Sequence, residues 1–333
     1  MAAHNIGYSF KCLRGMSSVM YSKFQEKKSL QKAWFYRLII VATLIFSNGL
    51  VSGCNKPFRS ENISVVASTL NADFGAEQPK SWGENLPGIV RYLDYSPAER
   101  KIALTLDACG SPQDGYDWEL IDFLNAENIP ATLFINARWI DKNPESFNAL
   151  ANTHLFDIQN HGQNHLPASV NGRSAYGLKG TADIGALIEE VDANKLKIAS
   201  LTGVEPTYYR SGTAYYDEVA VKVILRLKQK IAGFSVLGDA GATYAAAQIE
   251  QTLSLVQPND VIIAHMNHPE RQTAEGLIPA LRKLKNQGYI FVTLREAKTR
   301  DNPPEGYKLL ERNLSLDINV HPLESEIHKL RAR

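Results

Sequence analysis

The chain is 333 residues long, with a formal net charge of +1 and 44% hydrophobic residues. This suits one large globular domain or two smaller ones, with a core ample enough to need no covalent staples. Near-neutral charge gives no support to a nucleic-acid partner, and three cysteines, Cys12, Cys54 and Cys109, make no disulfide framework.

In chain order, Lys23, Lys27, Lys28, Lys32 and Arg37 precede the apolar run "LIIVATLIFSNGLVSGC" at 38–54. A basic stretch, an apolar run and small residues before a cysteine read as an export signal over 1–53. "LVSGC" resembles the bacterial lipoprotein signal. That resemblance implies lipidation of Cys54, a lipid anchor in the bacterial cell envelope and, with Asn55 rather than Asp next, sorting to the outer membrane. A single-span anchor is the alternative, but Ser47, Asn48 and Gly49 interrupt the run short of the roughly 20 residues that a span needs. The long lead before Lys23 makes Met16 or Met20 a candidate start. Removal of the signal and lipidation of Cys54 would leave Cys109 without a partner in an oxidising compartment. Residues 54–81, polar and mixed, read as a tether, and 82–300 as a single domain. Residues 301–333 lose its rhythm and read as a tail.

Within the domain, short apolar runs alternate with longer helical patterns. Strands are expected at 102–106, 132–135, 156–159, 208–210, 231–235, 261–264 and 290–293. Helices are expected at 118–127, 144–151, 182–201, 217–227, 246–256 and 274–286. In "DWELIDFLNAEN", Leu120, Ile121, Phe123 and Leu124 fall at core spacing. Repeated strand-then-helix units imply parallel strands covered by helices, an α/β fold. About seven units suggest a closed barrel, and no glycine-rich dinucleotide fingerprint follows the first strand.

In an α/β barrel, chemistry gathers at the C-terminal ends of the strands. There the first strand delivers Asp107 ("TLDACG"), the third His161 and His165 ("HGQNH"), the fourth Arg210 ("YYRSGTAYYD"), the fifth Asp239 and the sixth His265 ("IIAH"). Each has an ordinary reading alone: an isolated Asp as a turn or cap, an arginine as a structural ion-pair partner, His265 as a satisfied barrel-end histidine. Asp239 is open to pairing with Arg210 or His265, or to capping a turn. Two histidines four apart suit one metal ion if they share a helical turn, though a bare pair is more often unrelated surface residues. His268, before Pro269, reads as loop structure. The agreement of all these positions with one rim favours a site.

The ordered stretches "TLDACG", "NHGQNH", "YYRSGTAYYD", "GFSVLGDAG" and "IIAH", over about 82–295, resemble the polysaccharide deacetylases, the NodB-like carbohydrate esterases. The resemblance implies a distorted (β/α)7 TIM-like barrel and metal-dependent removal of acetyl groups from an N-acetylated glycan. By that pattern Asp107 is the catalytic base, His161 and His165 bind a divalent metal, zinc ahead of other ions, Arg210 orients Asp107, and His265 is the general acid. Asp239 matches the family's fourth-motif acid only loosely. Three departures stand out. Ala108 occupies the place of a metal-binding aspartate. Gly162 replaces a Ser or Thr after the first histidine. "SGTAYY" replaces the usual prolines and reshapes the substrate groove, with Tyr215 and Tyr216 as candidate substrate contacts.

Ala108 leaves three solutions open: a substitute ligand from Cys109, Asp114 or Asp117 (the last better placed to cap the first helix); Asp107 itself as ligand; or a dead site that only binds glycan. The joint presence of the other five residues favours an active variant. Hydrolysis of a different amide C–N bond is the further alternative.

Overall fold

The computed structural model describes residues 58–300. The export segment, Cys54 and the tail at 301–333 lie outside the described residues. Among the described residues no helix is long and apolar enough to cross a membrane.

The elements run α1 (Phe58–Phe74), β1 (Trp82–Gly83), β2 (Ile89–Val90), β3 (Lys101–Ala108), α2 (Trp118–Ala126), β4 (Ala131–Ile135), α3 (Ala137–Lys142), α4 (Pro144–Ala151), β5 (Phe156–Asn160), α5 (Ile184–Thr202), β6 (Tyr208–Tyr209), β7 (Tyr216–Asp217), α6 (Glu218–Arg226), β8 (Lys230–Ala232), β9 (Val236–Leu237), α7 (Ala246–Leu253), β10 (Val261–His265), α8 (Thr273–Asn286) and β11 (Ile290–Phe291). The main sheet is parallel throughout, in the order β2-β8-β6-β5-β4-β3-β10-β9, with β11 added against the start of β3. Each of the seven expected strands is present at its core. Four two-residue strands, β1, β2, β7 and β9, are too short to carry a period and were not expected.

The sheet curls into a barrel-like (β/α) fold. Val90, Ala103, Phe134, Tyr208, Ala232 and Val261, drawn from six strands of the sheet, form one buried inner cluster with Leu93 and Leu294. Just past β2, Tyr92 bridges Asp260 at the foot of β10. Along β3 the side chains divide by parity. Ile102, Leu104, Leu106 and Ala108 join the outer cluster under the helices, while Ala103 joins the inner one. Both faces are buried, as parallel strands covered by helices require.

Helix ends follow from local chemistry. The Asp117 carboxylate accepts the Leu120 N–H and starts α2, Asp183 and Asp217 do the same for α5 and α6, and Gly203 ends α5 in the left-handed region.

The expected tether over 54–81 is corrected by α1. Leu70 and Phe74 are buried in the cluster formed by α5 and α6. Asp73 and Glu77 pair with Arg226 (3.1 Å) and Lys222 (2.6 Å) of α6. Val66 and Ala67 add partly buried contacts, but with so few apolar anchors the periodicity is faint; burial against the domain overrides it.

Candidate functional site

The strands deliver the expected polar residues to one rim. Asp107 and His265 are register partners on the adjacent strands β3 and β10, so their side chains stand side by side, one strand spacing of about 4.8 Å apart. Asp107 is 3% exposed and Arg210 fully buried. Arg210 donates from Nη1 to Asp107 Oδ1 at 2.6 Å and from Nη2 to Thr105 Oγ1 at 2.9 Å. Nε donates to the carbonyl of Ala232 (3.2 Å) and Nη2 also to that of Gly233 (3.0 Å), and the guanidinium lies over the Phe134 ring. A buried ion pair with this many satisfied donors fixes one carboxylate oxygen and leaves Oδ2 free.

Oδ2 faces His161 Nε2 at 3.6 Å. The His161 ring is set by its other nitrogen, Nδ1, 2.9 Å from the Arg210 carbonyl oxygen. A carbonyl only accepts, so Nδ1 carries the proton and Nε2 presents a lone pair. Burial pushes the His161 pKa down, but the carboxylate of Asp107 and the thiol of Cys109 raise it above the ordinary histidine value. His165 stacks edge-on to His161, with ring centroids 4.8 Å apart. Its Nε2 is buried and makes no hydrogen bond among the described residues. Donor atoms of Cys109, His161 and His165 lie within 4.8 Å of one another, with Cys109 Sγ 3.9 Å from His161 Nε2. This set of nitrogen and sulfur donors, with an orphaned imidazole nitrogen among them, fits a divalent metal. Although burial pushes the Cys109 thiol up, the surrounding imidazoles of His165, His161 and His265 hold it well below its usual range.

His265 is held by Asp239. Nδ1 is 2.9 Å from Oδ1, and the His265 backbone N–H donates to Oδ2 at 2.8 Å. Thr273 Oγ1 donates to the same Oδ2 at 3.1 Å. Asp239 therefore pairs with His265 and not with Arg210. Burial works against charge on both partners, yet each holds the other ionised: His265 is raised well above its ordinary value and Asp239 is lowered.

The residues 161–166 are shaped by Glu190, a buried carboxylate from α5 that sequence reasoning missed. It accepts the N–H groups of Asn164 (3.0 and 2.9 Å) and Leu166 (3.2 Å). This holds His165 between them in the left-handed region, at φ 61°. The two histidines thus sit on an irregular loop after β5, and not on the helical turn that a four-residue spacing suggests. Gly162 has φ 77°, and a Cβ there would collide with Glu190 Oε1 and lie 3.2 Å from its Cδ. That collision explains glycine where the family pattern has Ser or Thr. Asn136 adds support, donating from Nδ2 to the carbonyls of His161 (3.0 Å) and Gly162 (2.7 Å).

Two expectations are corrected. Tyr216 is fully buried, and its hydroxyl accepts the Ser211 N–H at 2.9 Å, so it supports the loop after Arg210 and offers nothing to substrate. Asp117 caps α2 through Oδ1 and is not among the donors that converge with the two histidines; Asp114 is bound to the Ser111 backbone N–H at 2.9 Å. Tyr215, by contrast, is partly exposed and joins Trp82 and Tyr176 in an aromatic cluster with centroids 5.6 and 5.4 Å from its own. The loop that carries it packs on the loop of His161 and His165: Gly212 donates its N–H to the Leu166 carbonyl, and a Cβ at Gly212 would lie 2.7 Å from His165 Cγ.

The sequence profile of one family, polysaccharide deacetylase, matches residues 94–232. The chain is 23% identical over 230 residues to the peptidoglycan-N-acetylmuramic acid deacetylase PdaA of Bacillus subtilis, covering 65% of this chain and 80% of that protein. It is 23% identical over 224 residues to an uncharacterized 30.6 kDa protein of Geobacillus stearothermophilus, covering 65% and 77%. Among solved structures, B. subtilis PdaA, a family 4 carbohydrate esterase, matches with a TM-score of 0.52 at 19% identity, covering 69% of this chain and 87% of that one. A CE4 family pseudoenzyme from Bacillus anthracis matches at 0.51 and 17%, covering 64% and 69%. At such identities the structural likeness shows the fold.

Proposed function

We propose, from the match of residues 94–232 to the polysaccharide deacetylase profile, that the chain is a member of that family and a metal-dependent hydrolase removing N-acetyl groups from a polysaccharide or cell-wall glycan. The observation that carries this reading is the pairing of Asp107 and His265 as register neighbours, each locked by its own partner, beside the orphaned nitrogen of His165. An amide is a poor electrophile and water a poor nucleophile. A divalent metal held at the histidine pair supplies Lewis-acid polarisation of the carbonyl and a more acidic water.

The protein groups divide the proton work. Arg210 occupies Asp107 Oδ1, so Oδ2 accepts the proton of the attacking water. Asp239 occupies His265 Nδ1, so Nε2 delivers a proton to the departing amine nitrogen. A histidine held protonated well above its ordinary value suits that second task. Each positioned acid or base is worth roughly 10²–10⁴-fold. The partly exposed Trp82–Tyr215–Tyr176 cluster supports a glycan as substrate, since aromatic faces pair an apolar body with a polar tip and match the C–H faces of sugar rings.

Release of acetate from N-acetylglucosamine oligomers and from peptidoglycan tests the reading. The wild-type chain with added zinc, cobalt or manganese is expected to release it. Asp107→Asn is expected to lose turnover by roughly 10²–10⁴-fold while retaining its metal. No release with any of these ions would overturn the enzyme reading in favour of a glycan-binding protein. Release confined to small non-glycan amides would reassign the substrate.

The run at 38–54 further supports export and a lipid anchor at Cys54, which places the domain beside an envelope glycan.

A further inference from the structure

We propose that Cys109 is the third protein ligand of the metal centre, so that a thiolate serves where the family pattern has a carboxylate and the site favours zinc or cobalt over manganese or magnesium. This rests on the reading of the site as a metal centre, and its test does not depend on turnover.

The first argument is strand phase. Ile102, Leu104, Leu106 and Ala108 all lie in the outer cluster beneath the helices, each fully buried. Thr105 and Asp107, of the opposite parity, meet Arg210 inside the barrel. On this backbone a side chain at 108 points into the apolar layer with Ile135 and Trp139, where an unpaired acid would be costly. Residue 109 returns to the phase of 105 and 107, and its sulfur lies among the metal-site histidines.

Distance is the second argument. With metal–sulfur and metal–nitrogen bonds of about 2.3 and 2.0–2.1 Å at tetrahedral angles, sulfur and nitrogen sit about 3.6 Å apart. Cys109 Sγ and His161 Nε2 are 3.9 Å apart, and all three donors fall within 4.8 Å. Small side-chain rotations bring them onto one ion. His161 already turns its lone pair inward by binding the Arg210 carbonyl through Nδ1, and His165 Nε2 has no hydrogen-bond partner among the described residues.

Elimination is the third. Asp114 is engaged by Ser111 and Asp239 by His265, while Asp117 caps α2 through Oδ1 and its Oδ2, without a hydrogen-bond partner among the described residues, lies outside the converging donors. Asp107 keeps only Oδ2 free, and it falls outside the group of donors that converge within 4.8 Å. Three protein ligands with a fourth position open is the arrangement of catalytic zinc sites, and thiolate with imidazole selects for zinc and cobalt over the oxygen-seeking ions. Ligation releases the thiol proton to solvent and forms one metal–sulfur bond, with no change in oxidation state.

The experiment uses the full chain loaded with Co(II) and read by absorption spectroscopy. Wild type is expected to show the intense near-ultraviolet thiolate-to-cobalt charge-transfer band together with the weaker visible bands of four-coordinate cobalt. Cys109→Ser should lose the charge-transfer band. Cys109→Asp should lose it while keeping bound metal, and should shift competition between zinc and manganese toward manganese. Because Cys109→Asp restores a ligand, its metal content separates loss of sulfur ligation from loss of fold. A wild-type cobalt protein with no charge-transfer band, or a Cys109→Ser variant that keeps it, overturns the proposal. The band without acetate release supports thiolate ligation while overturning the deacetylase reading. Acetate release without the band does the reverse.

Discussion

Replacing Gly162 with alanine tests how the metal-site loop is built. At φ 77° an L-residue pays about 1–2 kcal/mol relative to glycine. The new methyl also meets Glu190 Oε1, leaving 3.2 Å to Cδ, so the carboxylate must move. Oε1 alone serves the Leu166 N–H at 3.2 Å, and a hydrogen bond to a charged acceptor contributes about 1.5–3 kcal/mol. The Asn164 N–H can stay on Oε2, 2.9 Å away. The expected loss is therefore about 2.5–5 kcal/mol. For a domain of this size that lowers Tm by roughly 5–20 °C. Thermal unfolding of Gly162→Ala, Glu190→Ala and the double variant separates the two contributions. With the carboxylate gone, only the backbone strain of about 1–2 kcal/mol should remain, giving a coupling of about 1.5–3 kcal/mol between the sites. Zinc content should fall in both single variants, because His165 lies between the two N–H groups that Glu190 holds. Equal costs of Gly162→Ala in the two backgrounds would refute the account of Glu190 as the reason for the glycine.

Two further outcomes follow from the pairing of His265 with Asp239 and from the sequence before Cys54. His265 is raised above its ordinary 6.5, so the stability and acid function that it contributes are fully present below that value and are lost as pH rises through the folded-state value. Asp239, lowered from 3.8, contributes above that value and loses its contribution as pH falls through its own folded-state value. The pair thus stabilises the window between the two. In Asp239→Asn the alkaline limb of kcat/KM should move to lower pH; an unmoved limb would remove His265 from the role of general acid. For the anchor, Cys54→Ala should abolish incorporation of labelled fatty acid and shift the protein from the detergent phase to the aqueous phase. Unchanged partitioning would argue for a spanning segment over lipidation.

Much of the site could be read from the chain because its members end apolar runs. Asp107 after "IALTL" and His265 after "VIIA" are placed by strand period alone, and a parallel sheet brings strand ends to one rim. Even the role of Cys109 leaves a trace there, since 105, 107 and 109 share parity. Six helices were legible from the 3.6-residue period and from capping aspartates such as Asp117, whereas the six-residue α3 is too short to show one. The faint α1 was not legible either, because only Leu70 and Phe74 of its described residues are fully buried and Val66 and Ala67 are partly so.

Other features were decided only by tertiary contact. Adjacent Tyr215 and Tyr216 look alike in sequence, but Tyr216 opens β7 and is buried with its hydroxyl on the Ser211 N–H, while Tyr215, just before the strand, stays partly exposed. Asp239 could have joined Arg210 or His265, and the pairing of β9 with β10 brought it to the histidine. Glu190 lies 28 residues beyond Gly162, on a helix whose pattern says only that one face is buried. A carboxylate on that face cannot be assigned to a loop until the helix has docked. Local order thus follows from periodicity along the chain. Which polar groups satisfy one another depends on contacts between distant segments, and there His161 and His165 acquire their geometry.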